Sequence, residues 1–417
     1  MMTKTIEPTK PQERIHSLDF LRGIAVLGIL FINIENFAYP DSWSPWKYGF
    51  QNSLDYSTRF WVYFLTQGKF YTMFALLFGV SFVIFLERLE YKKLGLKSID
   101  IYTRRLLLLF IIGIVHYYFI WDGDVLYHYA ICGLFLIPFK SFKNKNLLIV
   151  ILILSTLLLV KSHDQTMRTK DFKNNYLTAI EIPVSERTNQ QIKSIDLWKN
   201  RTKKKEPISF SGKIKKESYL SGLTETYKRA KVHKGLIYYQ GLLFPSLLVM
   251  LIGVFLYKSG IFADYKVWTY YWLITITILA IGLIINYMRY YHWTYEYYNP
   301  ITSLWKGWLF TFTKEILGVG YVLILNGIYQ KLIKSPKLLL SSVGKMALSN
   351  YIFQSLTLGF LFYGYGFSMF NQYSRFELIK IVVIVWVAQL FLSWIWLKKF
   401  NQGPLESLWK KLTYITK

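Results

Sequence analysis

The sequence predicts an all-α protein: a polytopic integral membrane bundle of about ten transmembrane helices, with both termini on the cytoplasmic side. Three observations carry this expectation. Apolar residues make up 53% of the 417 positions and charged residues only 18%, against about 25% charged in an ordinary soluble domain. The fifty Lys and Arg residues are segregated from the apolar runs rather than mixed into them. The runs themselves approach the length of about 20 helical residues needed to cross a hydrocarbon core of about 30 Å.

In chain order the spans read as Phe20–Ala38, Phe70–Leu86, Leu106–Trp121, Val125–Phe139, Leu147–Val160, Leu236–Tyr257, Val267–Tyr287, Ile301–Tyr329, Leu338–Tyr363 and Ile379–Leu397. The third and fourth are joined only by Asp122-Gly123-Asp124 and form a helical hairpin. The eighth is long and carries Lys306, Lys314 and Glu315, so it should break or tilt. With the N-terminus inside, the inner segments hold 22 Lys and Arg and the short outer ones 5, as the positive-inside rule requires. The chain divides into an N-terminal membrane domain of five helices (1–160), a basic loop (161–234) and a C-terminal membrane domain of five helices (235–417). The loop carries 18 Lys and Arg against 8 Asp and Glu, including KNRTKKKEP at Lys199–Pro207. In this topology it lies outside, and its charge does not contradict that, because segments this long escape the orienting rule. It reads as a partly helical loop or as a surface for anionic lipid heads and wall polymers.

The same features exclude several function classes. The net charge of +26 is not arranged as a nucleic-acid motif, so no nucleic-acid partner is expected. Cys132 stands alone, which removes an intrachain disulfide and a cysteine zinc site. There is no Walker A sequence and no HExxH, and no metal is predicted. The first span lacks a following small-residue cleavage site and reads as a retained helix.

Polar side chains inside spans are costly and mark candidate sites. Asp19 and Arg22 share a face of the first helix at spacing i, i+3. Asn33 and Asn36 repeat that spacing near its other end, around Glu35. The densest patch is the hairpin RRLLLLFIIGIVHYYFIWDGDVLYHYA, with His116, Asp122, Asp124 and His128 within thirteen residues. A neutral imidazole at His116 could accept a proton, tuned by a neighbouring carboxylate. Asp124 and His128 are spaced i, i+4 and could meet. Arg104 and Arg105 stand at the inner face, as anchors or as phosphate ligands. Lys69 should snorkel to the interface. Asn350 and Gln354, spaced i, i+4 on the ninth span, could cross-link helices or line a cavity.

Several stretches resemble the YeiB-like bacterial membrane proteins, the family of domain of unknown function 418. They are RIHSLDFLRGIAVLGILFIN (Arg14–Asn33), KFYTMFALLFG (Lys69–Gly79), the hairpin from Arg104 to Ala130, SSVGKMALSNYIFQS (Ser341–Ser355), FYGYG (Phe362–Gly366) and FNQGPLESLWKKLTY (Phe400–Tyr414). The opening SLDFLRG also resembles the SxDxxRG start of the transmembrane acyltransferases, including the heparan glucosaminide acetyltransferases. That resemblance implies a multi-pass bacterial cell-membrane protein that passes an acetyl group from cytoplasmic acetyl-CoA to an extracytoplasmic sugar, lipid or small-molecule acceptor. It implies an active-site role for Asn33. Those enzymes carry their catalytic His just beyond the first helix, where Phe37–Tyr48 has none. The nearest candidate base is His116, on another helix. The catalytic set is thus His116, Asp122, Asp124 and Asn33, and the acetyl-CoA set Arg104, Arg105 and Arg22. The alternative is a proton-coupled transporter using Glu35, His116 and Glu315. A scaffold acting through the basic loop is a third reading. Membrane lipids are expected partners, and a homo-oligomer is left open.

Overall fold

A computed structural model of the chain describes residues 15–39, 52–203, 218–224, 227, 236–329 and 331–414. The centre of the basic loop, with the last four residues of the basic run that ends at Pro207, lies outside them. The described residues form helices and no strand: α1 (His16–Ala38), α2 (Ser53–Thr66), α3 (Lys69–Tyr91), α4 (Lys97–Phe119), α5 (Leu126–Leu136), α6 (Asn144–Glu181), α7 (Asn189–Thr202), α8 (Leu236–Lys258), α9 (Tyr271–Tyr295), α10 (Leu304–Leu309), α11 (Thr313–Tyr329), α12 (Lys334–Lys345), α13 (Ala347–Phe362), α14 (Arg375–Lys399) and α15 (Pro404–Thr413). Seven helical stretches among them are long and apolar enough to cross a membrane.

Each expected span falls on a helix, with differences that have physical causes. The eighth span breaks at residues 310–312 into α10 and α11, as its internal charges require. The ninth breaks at Met346 into α12 and α13. The fifth does not stop at Val160. α6 runs on for 38 residues to Glu181, because no Pro or Gly interrupts it before Pro183. At 1.5 Å per residue it is about 57 Å long, well beyond a hydrocarbon core. α7 folds back on its far part, with Trp198 against Phe172 and Tyr176. The membrane part of α6 presents Leu148, Ile149, Leu152, Ile153 and Leu157 outward, a surface suited to lipid tails. α2 lies outside the ten expected spans; Asp55 and Arg59 interrupt its apolar run.

The main core gathers α1, α3, α5, α8 and α11 around buried Leu21, Leu76, Val80, Met250 and Val322. Water expulsion does not drive helices together inside lipid, so close backbone approach and buried polar contacts matter more. α1 and α12 cross at Gly23 and Gly344. A Cβ at Gly344 would fall 1.7 Å from the Asp19 carbonyl oxygen, and one at Gly23 2.0 Å from that of Leu340. Neither obstacle is a side chain that could rotate away. Gly344→Val is therefore expected to separate the two helices and cost upwards of about 1–3 kcal/mol. Size-exclusion chromatography of the detergent extract checks this, and a monodisperse variant with wild-type thermal stability would contradict it.

Buried amides supply the second kind of adhesion. Asn350 donates to the Val343 carbonyl (3.2 Å) and to Ser393 Oγ (2.9 Å). Gln389 donates to Asn350 Oδ1 (3.1 Å), and Gln354 to Gln389 Oε1 (2.9 Å) and the Val26 carbonyl (3.1 Å). The pair expected to cross-link helices or line a cavity thus ties α13 to α1 and α14. Ile15 and Tyr414 line one cavity, so both ends of the described chain lie at the same end of the bundle.

Candidate functional site

α4 and α5 build the centre of the site. Gly113 lets them approach closely, since a Cβ there would fall 2.3 Å from the Tyr127 nitrogen. The backbone N–H groups of Ile120 and Trp121 both donate to the His116 carbonyl and close α4. The turn then brings Asp124 back to the imidazole. Its Oδ2 lies 2.7 Å from His116 Nδ1, and its Oδ1 accepts from the Tyr127 N–H at 3.1 Å. One carboxylate thus orients the ring and caps the start of α5. Both side chains are almost fully buried. An ionised Asp124 can only accept, so Nδ1 carries a proton; in the neutral imidazole Nε2 then holds the lone pair. Nε2 is buried with no hydrogen-bond partner among the described residues. Such an atom costs about 1–3 kcal/mol unless water or a ligand meets it. The ring sits against Tyr351 (centroids 5.2 Å apart) and Trp121 (6.3 Å).

A cavity of about 560 Å³ runs from one end of the bundle toward this pair. Its mouth carries Arg22, Arg88, Arg105, Lys345 and Lys410, with Asp19, Glu87 and Glu406. Arg22 donates to Asp19 (2.7 Å) and to Ser81 Oγ (2.8 Å). The Arg105 guanidinium lies 3.7 Å from the ring centre of Trp409, whose Nε1–H donates to the Arg105 carbonyl (2.9 Å). Glu406 accepts from the Leu348 and Ser349 N–H groups and from Ser349 Oγ. It satisfies the orphan donors that the break at Met346 leaves at the start of α13. The deeper walls are apolar, with Phe74, Phe78, Leu109, Leu126, Tyr129 and Tyr351.

The residues picked from the sequence divide accordingly. The structure joins His116 to Asp124 and sets Arg22 and Arg105 on the cavity wall. Arg104 pairs instead with Asp100 at 3.0 Å, largely exposed, and does not line the cavity. Asp122 is half-buried, and its carboxylate is not the one on His116. Asn33 is half-buried on α1, and among the described residues no hydrogen bond joins it to His116. His128 has its Nε2 2.9 Å from Ser246 Oγ on α8. Lys69 does not reach the interface. It is wholly buried, donating to the Tyr63 carbonyl (2.8 Å) under the face of Tyr290 (3.9 Å). No group of three or more His, Cys, Asp or Glu suited to a metal occurs among the described residues.

Sequence reading missed a buried ion cluster at the far end of α1. Glu35 pairs with Arg59 of α2 and lies 3.5 Å from Arg375 Nε of α14. Tyr63 donates to the same carboxylate (3.3 Å), and its ring lies 3.5 Å under the Arg59 guanidinium. Asp55 accepts from the Arg375 N–H (3.1 Å). The cluster pins α1, α2 and α14 together.

Comparison with known proteins places the chain. YeiB, an uncharacterized protein of Escherichia coli (strain K12), is 30% identical over 96% of this chain and 96% of its own length. The chain belongs to the YeiB-like DUF418 family. Residues 256–416 match that family's domain, described as a protein of unknown function. Uncharacterized YxaH of Bacillus subtilis (strain 168) is 27% identical over 99% of this chain and 97% of its own. Residues 14–192, which include His116 and Asp124, match the catalytic domain of heparan-alpha-glucosaminide N-acetyltransferase. This likeness to a transmembrane acetyltransferase domain and the apolar helices agree on a membrane location. No solved structure matches the chain.

Proposed function

We propose that this family member is a transmembrane acyltransferase, moving an acetyl group from cytoplasmic acetyl-CoA to an acceptor hydroxyl or amine on a sugar, lipid or small molecule across the bacterial cell membrane. The observation that carries the reading is the buried His116–Asp124 pair, its free Nε2 one aromatic ring beyond a cavity with a cationic mouth. A phosphate-bearing thioester with a long, less polar arm fits that cavity in charge and shape: guanidinium and ammonium groups where phosphates would stand, apolar walls inward. On this reading Nε2 takes the acceptor proton while the acceptor oxygen or nitrogen attacks the thioester carbonyl carbon. The new bond to the acceptor forms, the C–S bond breaks, and the proton passes from His116 to the departing thiolate. The donor's end of the cavity is then the cytoplasmic end, where the basic mouth meets the positive-inside side.

Titration calorimetry of the purified full chain with acetyl-CoA tests the donor site. The double substitution Arg22→Ala/Arg105→Ala should weaken binding by about tenfold or more, as loss of charge-assisted contacts does. Absence of acetyl-CoA binding by a well-folded wild-type protein would remove the donor from the proposal and turn attention to proton-coupled uptake.

A further inference from the structure

We infer that Tyr351 is a catalytic residue of this site: its phenol donates the hydrogen bond that holds the thioester carbonyl oxygen during transfer. The inference rests on the acyl-transfer reading and gives the hold on the acyl carbonyl to Tyr351 rather than to Asn33. Tyr351 is the residue common to the cavity wall and to the ring contacts of His116. It lines the cavity and lies 5.2 Å from the imidazole, centroid to centroid. Asn33 is not among the cavity's lining residues. A carbonyl arriving through the cavity therefore meets Tyr351 next to the base that activates the acceptor.

The side chain is also held still, which an oxyanion donor requires. α13 begins only four residues earlier, at the Met346 break, and Glu406 fixes that start. On either side of Tyr351, Asn350 and Gln354 are locked by the amide ladder to α1 and α14. The residue is 4% exposed. Little reorganisation would be needed as negative charge grows on the carbonyl oxygen. Tyr351 keeps its own proton throughout. The proton that moves is the acceptor's, by way of His116.

The test is Tyr351→Phe in the full chain, which keeps the ring and removes only the hydroxyl. Acetyl-CoA labelled with carbon-13 at the thioester carbonyl is bound to each protein, and the carbonyl stretch is read by difference infrared spectroscopy. The wild type should shift the band to lower frequency than in water, and Tyr351→Phe should abolish the shift while binding persists. Thiol release with glucosamine as probe acceptor should fall about 10²–10³-fold in kcat, the usual cost of losing one oxyanion donor, with KM for acetyl-CoA nearly unchanged. An unaltered band in the Phe variant would overturn the role of Tyr351 and leave the acyl-transfer reading standing. Failure of the wild type to bind acetyl-CoA would overturn both.

Discussion

His116→Ala is expected to slow acyl transfer by about 10²–10⁴-fold, the range for loss of a positioned general base. Donor binding should be preserved, because the cationic mouth is built by other side chains. The loss should fall on kcat, as for a group that acts in the transition state. Asp124→Asn gives a companion result. An amide can present either oxygen or NH₂ to Nδ1, so the tautomer with its lone pair on Nε2 is no longer enforced. It also weakens the cap on the Tyr127 N–H. Asp122→Asn should behave nearly as wild type, since that carboxylate is not on the imidazole. Thiol release from acetyl-CoA by purified protein in lipid nanodiscs measures all three. Equal rates for wild type and His116→Ala would sink the assignment of the base.

The second large effect is on stability. Arg59→Met should destabilise the protein by about 3–5 kcal/mol, the cost of removing one partner from a buried ion pair. Arg59 and Glu35 have side chains 3% and 6% exposed. Without Arg59, Glu35 keeps Arg375 at 3.5 Å and the Tyr63 hydroxyl, which is less than a buried carboxylate needs. The double substitution Glu35→Gln/Arg59→Met should recover part of the loss, because no uncompensated charge then stays in the bundle. Thermal unfolding in detergent provides the comparison. A single variant as stable as the wild type would show that the cluster contributes nothing to the fold.

The spans were legible because membrane crossing is written in local quantities, apolarity and length, that a single chain displays. α2 was not, because Asp55 and Arg59 make it look like a loop. Their partners Glu35 and Arg375 lie 24 residues before Arg59 and 320 after Asp55. No spacing rule links residues that far apart. At the site, the residue types in the hairpin pointed to proton chemistry. Spacing left Asp122 and Asp124 equivalent, and the turn geometry separates them. Arg104 and Arg105 are likewise neighbours in sequence but about 100° apart around a helix. Only the positions of Phe85 and Trp409 decide which one faces the cavity. Tyr351 lies in the stretch Ser341–Ser355 that carries the family resemblance, but nothing in the sequence sets it apart from the other 32 of 33 tyrosines.

The wall contributed by α15 has a consequence for biogenesis. Glu406 holds Ser349, 57 positions earlier, and Trp409 holds Arg105, 304 positions earlier. Of the cavity's other lining residues, all but Tyr414 leave the ribosome before this helix does. Until it arrives, the start of α13 has uncapped N–H groups and Arg105 has no ring to lie on. The cavity is therefore completed last, after its helices have entered the bilayer. A nascent chain caught midway through synthesis would be inserted in the membrane with this cavity still open on the α15 side.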